Sequence, residues 1–232
     1  MDVATTLVAN STARRLQDMI RSGQLREGEA LPAQRELAEA LEVSRASLRE
    51  AMSVLQTLGL LRTEPRRGTF VVRKEALNDD ALGPWRFEAL YSPMEVYQFR
   101  FGTEGHAARL AAIAISAAGL TVLKQNLEDF KEAVRNIDLV TMAQLDYEFH
   151  RLVVTAAANR MSLDVYGSYG SVLLESQRLP LTRHRRLWEP VSEHENIVSA
   201  IERQDPDSAC YFMHVHILRA ADRVGVPLSD KA

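Results

Sequence analysis

The segment between residues 31 and 72 limits the possible folds most, because a turn interrupts its helical hydrophobic periodicity once and strand spacing then replaces it. "LPAQRELAEALEVS" and "RASLREAMSVLQTLGLL" both place apolar residues at helical spacing, and "EVS" leaves room only for a tight turn between them. Gly59 suits the left-handed position that ends a helix. "LLRTEPRRGTFVV" then predicts a hairpin, with strands over 60–64 and 69–72. The order of these elements predicts a winged helix-turn-helix.

A further helix is expected before this segment. Between Asn10 and Ile20 the apolar residues recur at helical spacing, with Ser11 or Thr12 as the candidate N-cap.

The basic residues of the predicted motif favour DNA as its partner. Arg45, Ser47 and Arg49 should lie at the exposed N-terminal end of the second helix, which enters the major groove in such motifs. Arginine there can bond to guanine O6 and N7 together, while Ser44 and the helix N-terminus suit a phosphate. The hairpin tip carries Arg66, Arg67 and Gly68, where a wing contacts the DNA backbone or minor groove. Singly, each piece is more often an ordinary helix start or turn, and the ordered set carries the prediction.

Charge is distributed unevenly along the chain. The net charge of −3 hides 12 Lys and Arg against 9 Asp and Glu in residues 1–74, and 16 against 22 in the remainder. A mildly basic front and an acidic rear are consistent with two tasks in one chain.

Composition indicates a soluble protein with no membrane partner. The chain has 232 residues, of which 46% are hydrophobic, and no apolar run approaches the length of a membrane span. The first residues lack a secretory pattern. A single cysteine, Cys210, excludes an intramolecular disulfide framework and fits a reducing compartment. We therefore expect a cytoplasmic protein.

After residue 74 the pattern changes to helices alone. Residues 75–92 read as a linker with a short helix, and six helical patterns follow, the fourth spanning residues 161–179. The connections are short, which favours an antiparallel bundle. The expected fold is mainly α. Its domains are a winged helix-turn-helix over 1–74, the linker over 75–92 and an all-helical domain over 93–232.

Histidines in the predicted bundle raise the possibility of a metal site. Asp146 and His150 are four residues apart and share one helix face, while His194, His214 and His216 lie on the last two helices. His214 and His216 point about 200° apart on a helix, so they cannot both face one cavity. A carboxylate with imidazoles suits zinc, nickel or another divalent first-row metal. Spacing alone does not separate this from ordinary core or surface histidines.

Residues 11–72 resemble the DNA-binding domain of the GntR family of bacterial transcription regulators. The resemblance is carried by "LPAQRELAEALEVSRASLREAMSVLQTLGLLRTEPRRGTFV". It implies a homodimer on double-stranded operator DNA. The DNA contacts that it implies are Arg35, Arg45, Ser47, Arg49, Arg67, Gly68 and Thr69, with Arg35 binding a phosphate.

Residues 94–222 are similar to the FCD effector domain of the FadR-type branch of that family. The pattern around Arg100 and Glu104, the "D…H" of Asp146 and His150, and the last two helices carry the similarity. It implies that the ligands of a divalent metal ion are Asp146, His150, His194 and His216, leaving His214 outside. Relatives that bind acyl-coenzymes lack this ligand set, so a fatty-acyl effector is disfavoured.

These expectations converge on a regulator, and not an enzyme, that senses a small carboxylic or sugar acid. Arg100 is the candidate for binding the effector's carboxylate, with an ion pair to Glu104 as the alternative role. Repression relieved by the acid is the expected response. Two alternatives stay open: a metal-dependent, hydrolase-like enzyme that uses the Asp/His3 site, and a regulator whose metal is purely structural.

Overall fold

The computed structural model describes residues 3–72, 84–182, 186–226 and 228. The chain divides into two compact units, one formed by Met1–Pro84 with Asp138–Val140 and the other by Trp85–Ile137 with Thr141–Ala232. The N-terminal limit of 74 that the sequence suggested lies outside the described residues.

The first unit begins with three helices. These are α1 (Val3–Arg21), α2 (Gln34–Ala40) and α3 (Arg45–Thr57). Leu16 of α1 and Leu48 and Leu55 of α3 are fully buried, and α1 and α3 pack along much of their length. Gly59 follows α3 with a φ of 74°, the left-handed conformation expected there.

The predicted cap of the first helix is wrong. α1 begins at Val3, so Ser11 and Thr12 lie within it, and both hydroxyls donate to the carbonyl oxygen of Val8. Hydroxyl side chains inside a helix commonly bond back to the preceding turn in this way. The apolar spacing identified the helix but not where it starts.

The predicted wing is present, and a third extended segment pairs with it. Strand β1 (Leu61–Glu64) pairs antiparallel with β2 (Gly68–Val71), close to the predicted limits. The chain before α2 adds to β2, because the Leu31 amide donates to the Thr69 carbonyl and the Val71 amide to the Glu29 carbonyl. Residues 28–31 have no strand periodicity, so this pairing was not predicted from the hydrophobic pattern.

The second unit is built from helices. Within the described residues these are α4 (Pro93–Ala114), α5 (Ala117–Arg135), α6 (Leu139–Ala156), α7 (Arg160–Ser168), α8 (Gly170–Arg178), a 3-10 helix (Leu179–Thr182), α9 (Glu189–Glu202) and α10 (Pro206–Arg223). Seven α-helices replace the six that were predicted, because the fourth pattern is divided at Tyr169 into α7 and α8. Residues 84–92 form turns rather than the expected short helix, and 73–83 lie outside the described residues.

Helices α4 and α10 form the most extensive contact of the bundle. Ala108, Ala111 and Ala112 of α4 are fully buried, which allows α10 to approach closely. Gly105 is needed at this crossing, because a Cβ there would lie 2.0 Å from Nε2 of His214. Helix α4 is continuous through Gly105, and the role of this glycine is to let α10 pack closely. No helix among the described residues is long and apolar enough to cross a membrane.

Candidate metal centre and DNA-binding surface

Four buried side chains from three helices meet inside the bundle. Asp146 and His150 come from α6, His194 from α9 and His216 from α10, and one ligand atom of each lies within 4.8 Å of all the others. The Nε2 atoms of His150 and His216 are 3.1 Å apart, and Nε2 of His194 is 3.3 Å from Oδ1 of Asp146. The four predicted ligands are therefore brought together.

The chemistry of this cluster fits a divalent metal ion. His194 is fully buried, yet neither of its ring nitrogens makes a hydrogen bond among the described residues, because Oδ1 of Asp146, 3.3 Å from Nε2, lies outside hydrogen-bonding geometry. A buried polar atom without a partner costs free energy that a bound metal would offset. Three imidazole nitrogens and one carboxylate oxygen form a donor set that zinc, nickel and similar ions accept. The cluster could hold such an ion.

Protonation in the cluster also favours metal binding. Burial lowers the pKa of His150, His194 and His216, so these rings are neutral near pH 7 and offer a lone pair. Burial raises the pKa of Asp146 to about 6, an effect that His216 and Arg100 oppose. The carboxylate is thus largely ionised at neutral pH even before a cation arrives.

A buried ion pair contacts His150 at Nδ1, on the side of the ring away from the cluster. Oε2 of Glu104 lies 2.7 Å from Nδ1 of His150, and Oε1 of Glu104 accepts from Nε of Arg100 at 2.9 Å. Burial alone would raise the pKa of Glu104, but Arg100 and His150 hold it at about 2. The resulting carboxylate fixes the ring so that Nε2 faces the cluster, the arrangement that orients many metal-bound histidines.

His216 has a matching support on the other side. Its Nδ1 lies 2.8 Å from Oε2 of Glu193, and Arg223 donates to both oxygens of that carboxylate at 3.0 Å. Burial opposes ionisation here as well, yet the hydrogen bonds from His216 and Arg223 keep the pKa of Glu193 at about 2. Two Arg–Glu–His chains therefore converge on the cluster from α4 and α10.

His194 is positioned by ring packing, without a glutamate of the kind that supports His150 and His216. Its ring stacks on Phe149 with centroids 3.9 Å apart and an interplanar angle of 8°, and Phe130 lies 5.3 Å away. His214, two residues before His216, is half-buried and stacks on Phe101 outside the cluster. The prediction that His214 and His216 face different surroundings is confirmed.

The start of α3 presents the basic residues predicted for DNA. Ser44 caps the helix, its Oγ accepting from the Ser47 amide at 3.0 Å. Arg45 and Arg49 are exposed, but Ser47 is only 5% exposed and its hydroxyl is bonded to that of Ser44. The expectation that Ser47 lies exposed beside the arginines is wrong, because the cap turns it inward.

The wing tip has the backbone conformation of a tight turn. Arg66 and Gly68 have φ values of 63° and 112°, and both are exposed. Arg67 is bound to Glu64 and lies over the Phe70 ring, at 5.5 Å from its centroid. Thr69 shares a hydrogen bond with Thr63 across the strands. Arg66 is thus the less constrained of the two tip arginines.

Four arginines on this unit have neither an ion pair nor a side-chain hydrogen bond with a described residue. They are Arg35, Arg45, Arg49 and Arg66, all exposed. Exposed guanidinium groups without a partner can bind phosphates or base edges at little desolvation cost.

Comparison with known families accounts for both halves of the chain. The FCD domain matches residues 95–219, and the family described as bacterial regulatory proteins, gntR family, matches residues 8–71. The chain belongs to the GntR family. It is a DNA-binding transcriptional regulator with an FCD domain, which fits the FadR-type branch.

Relatives of this GntR regulator are themselves regulators, and not enzymes. The HTH-type transcriptional regulator YcbG of Bacillus subtilis (strain 168) is 28% identical, over 97% of this chain and 93% of its own length. The Glc operon transcriptional activator of Escherichia coli (strain K12) is 30% identical over 73% and 68%. The repressor NanR of Salmonella newport (strain SL254) is 29% identical over 87% and 79%. Among solved structures, E. coli McbR/YncC shares the fold, with a TM-score of 0.51, 17% identity and coverage of 97% and 98%.

The sequence analysis identified only part of the GntR regulator's buried site. Arg100 was weighed between an effector contact and an ion pair with Glu104, and the ion pair is present. Glu193 and Arg223 were missed. Arg223 lies seven residues, two helical turns, after His216, and Glu193 directly precedes His194, so spacing gave a signal that a charged residue's usual exposure concealed.

Proposed function

We propose that this regulator binds a divalent metal ion, zinc or nickel, through Asp146, His150, His194 and His216 and uses it to sense a small carboxylic or sugar acid. The observation that carries the proposal is the buried cluster itself, in which His150 and His216 are each fixed by a Glu–Arg pair while His194 lacks any hydrogen bond. A metal with a purely structural role would not require Arg100 to face the cluster.

Arg100 is the group best placed for the acid's carboxylate. Its Nη2 lies 3.3 Å from Nε2 of His150 and its Nη1 lies 3.4 Å from Oγ of Ser176. If the His150 nitrogen binds a metal ion, its lone pair no longer accepts from Arg100, and that N–H needs another acceptor. A carboxylate oxygen at the metal provides one. The ion pair with Glu104 and effector binding are thus compatible roles of one guanidinium group.

Operator recognition falls to the first unit. We propose contacts from Arg35, Ser44, Arg45, Arg49, Arg66, Arg67, Gly68 and Thr69, with Ser47 acting through the cap. One winged helix reads a half-site, so we expect a homodimer on a near-palindromic operator. The acid changes operator affinity if it binds the two states of the dimer unequally. We propose repression relieved by the acid. The named relatives include both an activator and a repressor, so the sign needs a direct test.

The decisive experiment measures operator binding as a function of metal and acid. Duplexes selected by the metal-loaded protein from a random library serve as the operator. Their affinity is measured by fluorescence anisotropy with metal-loaded and chelated protein, across a panel of small carboxylic and sugar acids chosen by thermal shift. His194→Ala removes one ligand, and His106→Ala, an exposed histidine of α4, is the matched control.

An acid-dependent loss of affinity that His106→Ala keeps and His194→Ala abolishes supports metal-anchored sensing. Tight binding that responds to no acid and is unaffected by chelation, with only a lower melting temperature, assigns the metal a structural role. Affinity that rises with the acid reverses the proposed sign and leaves the sensing site intact.

A further inference from the structure

The two faces of the wing differ in charge. Arg62 and Glu64 lie on one side of β1, since successive side chains of a strand point to opposite faces, and Phe70 is the cross-strand partner of Arg62. Thr63 and its partner Thr69 lie on the other side, where their hydroxyl groups share a hydrogen bond. One face of the hairpin is therefore charged, and the other is neutral.

Glu64 on the charged face binds two arginines at once. Its Oε1 accepts a hydrogen bond from Nη2 of Arg62 at 2.6 Å, and its Oε2 accepts one from Nη1 of Arg67. The side chain of Glu64 is 20% exposed, whereas those of Arg62 and Arg67 are 70% and 71% exposed. The carboxylate is thus partly covered by two guanidinium groups that face solvent, and the three side chains together carry a single positive charge.

This pairing separates Arg67 from the other arginines that are predicted to contact DNA. Those others have neither an ion pair nor a side-chain hydrogen bond with a described residue. A phosphate offers a guanidinium group the same kind of anionic oxygen that Glu64 supplies, so the carboxylate and DNA compete for Arg67. An exposed ion pair adds little to stability, so the exchange of one anion for the other costs little.

We propose that Glu64 is an internal competitor of DNA for Arg62 and Arg67, and that it limits how strongly the wing binds phosphates. The inference rests on the proposed operator contacts of the wing, and it adds Arg62 to them. As DNA approaches, both guanidinium groups are shared between its phosphates and the Glu64 carboxylate, which itself repels the phosphates. This face therefore offers DNA one positive charge where two free arginines would offer two.

The expected consequence concerns affinity rather than sequence preference. Phosphate contacts supply binding that is independent of sequence, whereas contacts with base edges distinguish one sequence from another. A carboxylate among the wing arginines therefore weakens binding to all sequences alike. Glu64 should affect affinity and its salt dependence, and leave the ratio of operator binding to non-specific binding unchanged.

The test replaces Glu64 with its neutral isostere. Glu64→Gln in the full-length protein should bind both the selected duplex and unrelated DNA about three- to tenfold more tightly at low salt. The slope of log affinity against log salt concentration should steepen by about 0.9, the change expected for one more neutralised phosphate. Fluorescence anisotropy over several salt concentrations measures both quantities.

The control is Glu148→Gln, which makes the same change of charge in the helical unit. It disrupts the surface pair with Arg151 and should alter neither the affinity nor the slope. The melting temperature of Glu64→Gln should equal that of the wild type, because an exposed ion pair contributes little to stability. A change in DNA binding is then separate from any effect on folding.

A double-mutant cycle shows whether Glu64 acts through the arginines. Once Arg62 is released from the carboxylate it should bind phosphate more fully. Arg62→Ala should therefore weaken DNA binding about threefold more in the Glu64→Gln background than in the wild type. Equal weakening in both backgrounds would reduce the role of Glu64 to general repulsion and contradict the competition.

Three further results would overturn the inference. Weaker DNA binding by Glu64→Gln would show that Glu64 positions the arginines for DNA instead of competing for them. Unchanged binding by Glu64→Gln, with a loss of affinity in Arg66→Ala, would show that the wing tip contacts DNA but the charged face does not. Unchanged binding by both variants would remove the proposed wing contacts together with the inference.

Discussion

Arg35, Arg45 and Arg49 of the first unit are exposed and have no ion pair with a described residue, whereas Arg100 and Arg223 of the helical unit are buried and each binds a glutamate. An exposed guanidinium group keeps its hydration and can exchange it for a phosphate, releasing counterions from DNA. A buried one has lost its water and must be paired. The same side chain thus serves binding in one unit and the internal geometry of a site in the other.

This contrast predicts that the two groups of arginines affect different measured quantities when they are mutated. Substitutions among the exposed arginines should change DNA affinity and leave the free energy of unfolding nearly constant. Substitutions in the buried pairs should change the free energy of unfolding first, because a charge is left in the interior without its partner.

The largest effect is expected for Glu193→Ala. It leaves Arg223 buried with only the half-exposed Glu189, 3.2 Å from its Nη1, in place of the carboxylate that it binds through two nitrogens, and it leaves His216 without its Nδ1 partner. Breaking a buried pair in this way costs about 3–5 kcal/mol. Denaturant unfolding of the chelated protein measures this without a contribution from the metal. Glu195→Ala, which removes an exposed partner of Lys131, is the control and should cost less than about 1 kcal/mol. Equal losses would contradict the contrast.

The next effect is expected for Arg49→Ala, on DNA. Arg49 is exposed near the start of α3, so its loss removes a base or phosphate contact and should reduce specific affinity by about 1–3 kcal/mol. The melting temperature should stay at the wild-type value. Arg151→Ala, an exposed arginine of α6 paired with Glu148, should leave DNA binding unchanged. If Arg49→Ala instead lowers the melting temperature, Arg49 has a structural partner that the contacts do not show.

The sequence predicted the first unit in more detail than the buried site, and the reason is physical. Helix spacing, Gly59 and the basic hairpin are local signals, so they located α2, α3 and the wing to within a few residues. The inward turn of Ser47 and the pairing of residues 28–31 with β2 depend on tertiary contacts, and both were missed.

In the helical unit, periodicity placed Asp146 and His150 on one face but left a metal site and ordinary packing equally open. Similarity to the FCD domain supplied the set of four ligands, which the structure brings together. The segment "ESQR" at the end of α8 shows the limit of such reasoning. Four consecutive polar residues at a helix end are usually exposed to solvent, yet all four are buried here.

A smaller effect is expected for Ser44→Ala. Its side chain caps α3 by accepting from the Ser47 amide, so its loss should cost about 1 kcal/mol in unfolding free energy. Ser44→Asp retains the cap but adds a negative charge where a phosphate is expected. It should restore the stability while weakening DNA binding further. If Ser44→Asp binds DNA as well as the wild type, this position does not face the phosphate backbone.

The smallest effect is expected for Arg35→Ala, and it bears most directly on how the exposed arginines work. Arg35 lies on α2, one helix before the one expected in the major groove, and its proposed role is a single phosphate contact. Loss of one such contact should reduce the slope of log affinity against log salt concentration by about 0.9, equally for the selected duplex and for unrelated DNA. Titrations over several salt concentrations measure this slope. A loss confined to the selected duplex would show that Arg35 reads base sequence. An unchanged slope would show that a guanidinium group without an ion pair in the free protein does not by itself mark a contact with DNA.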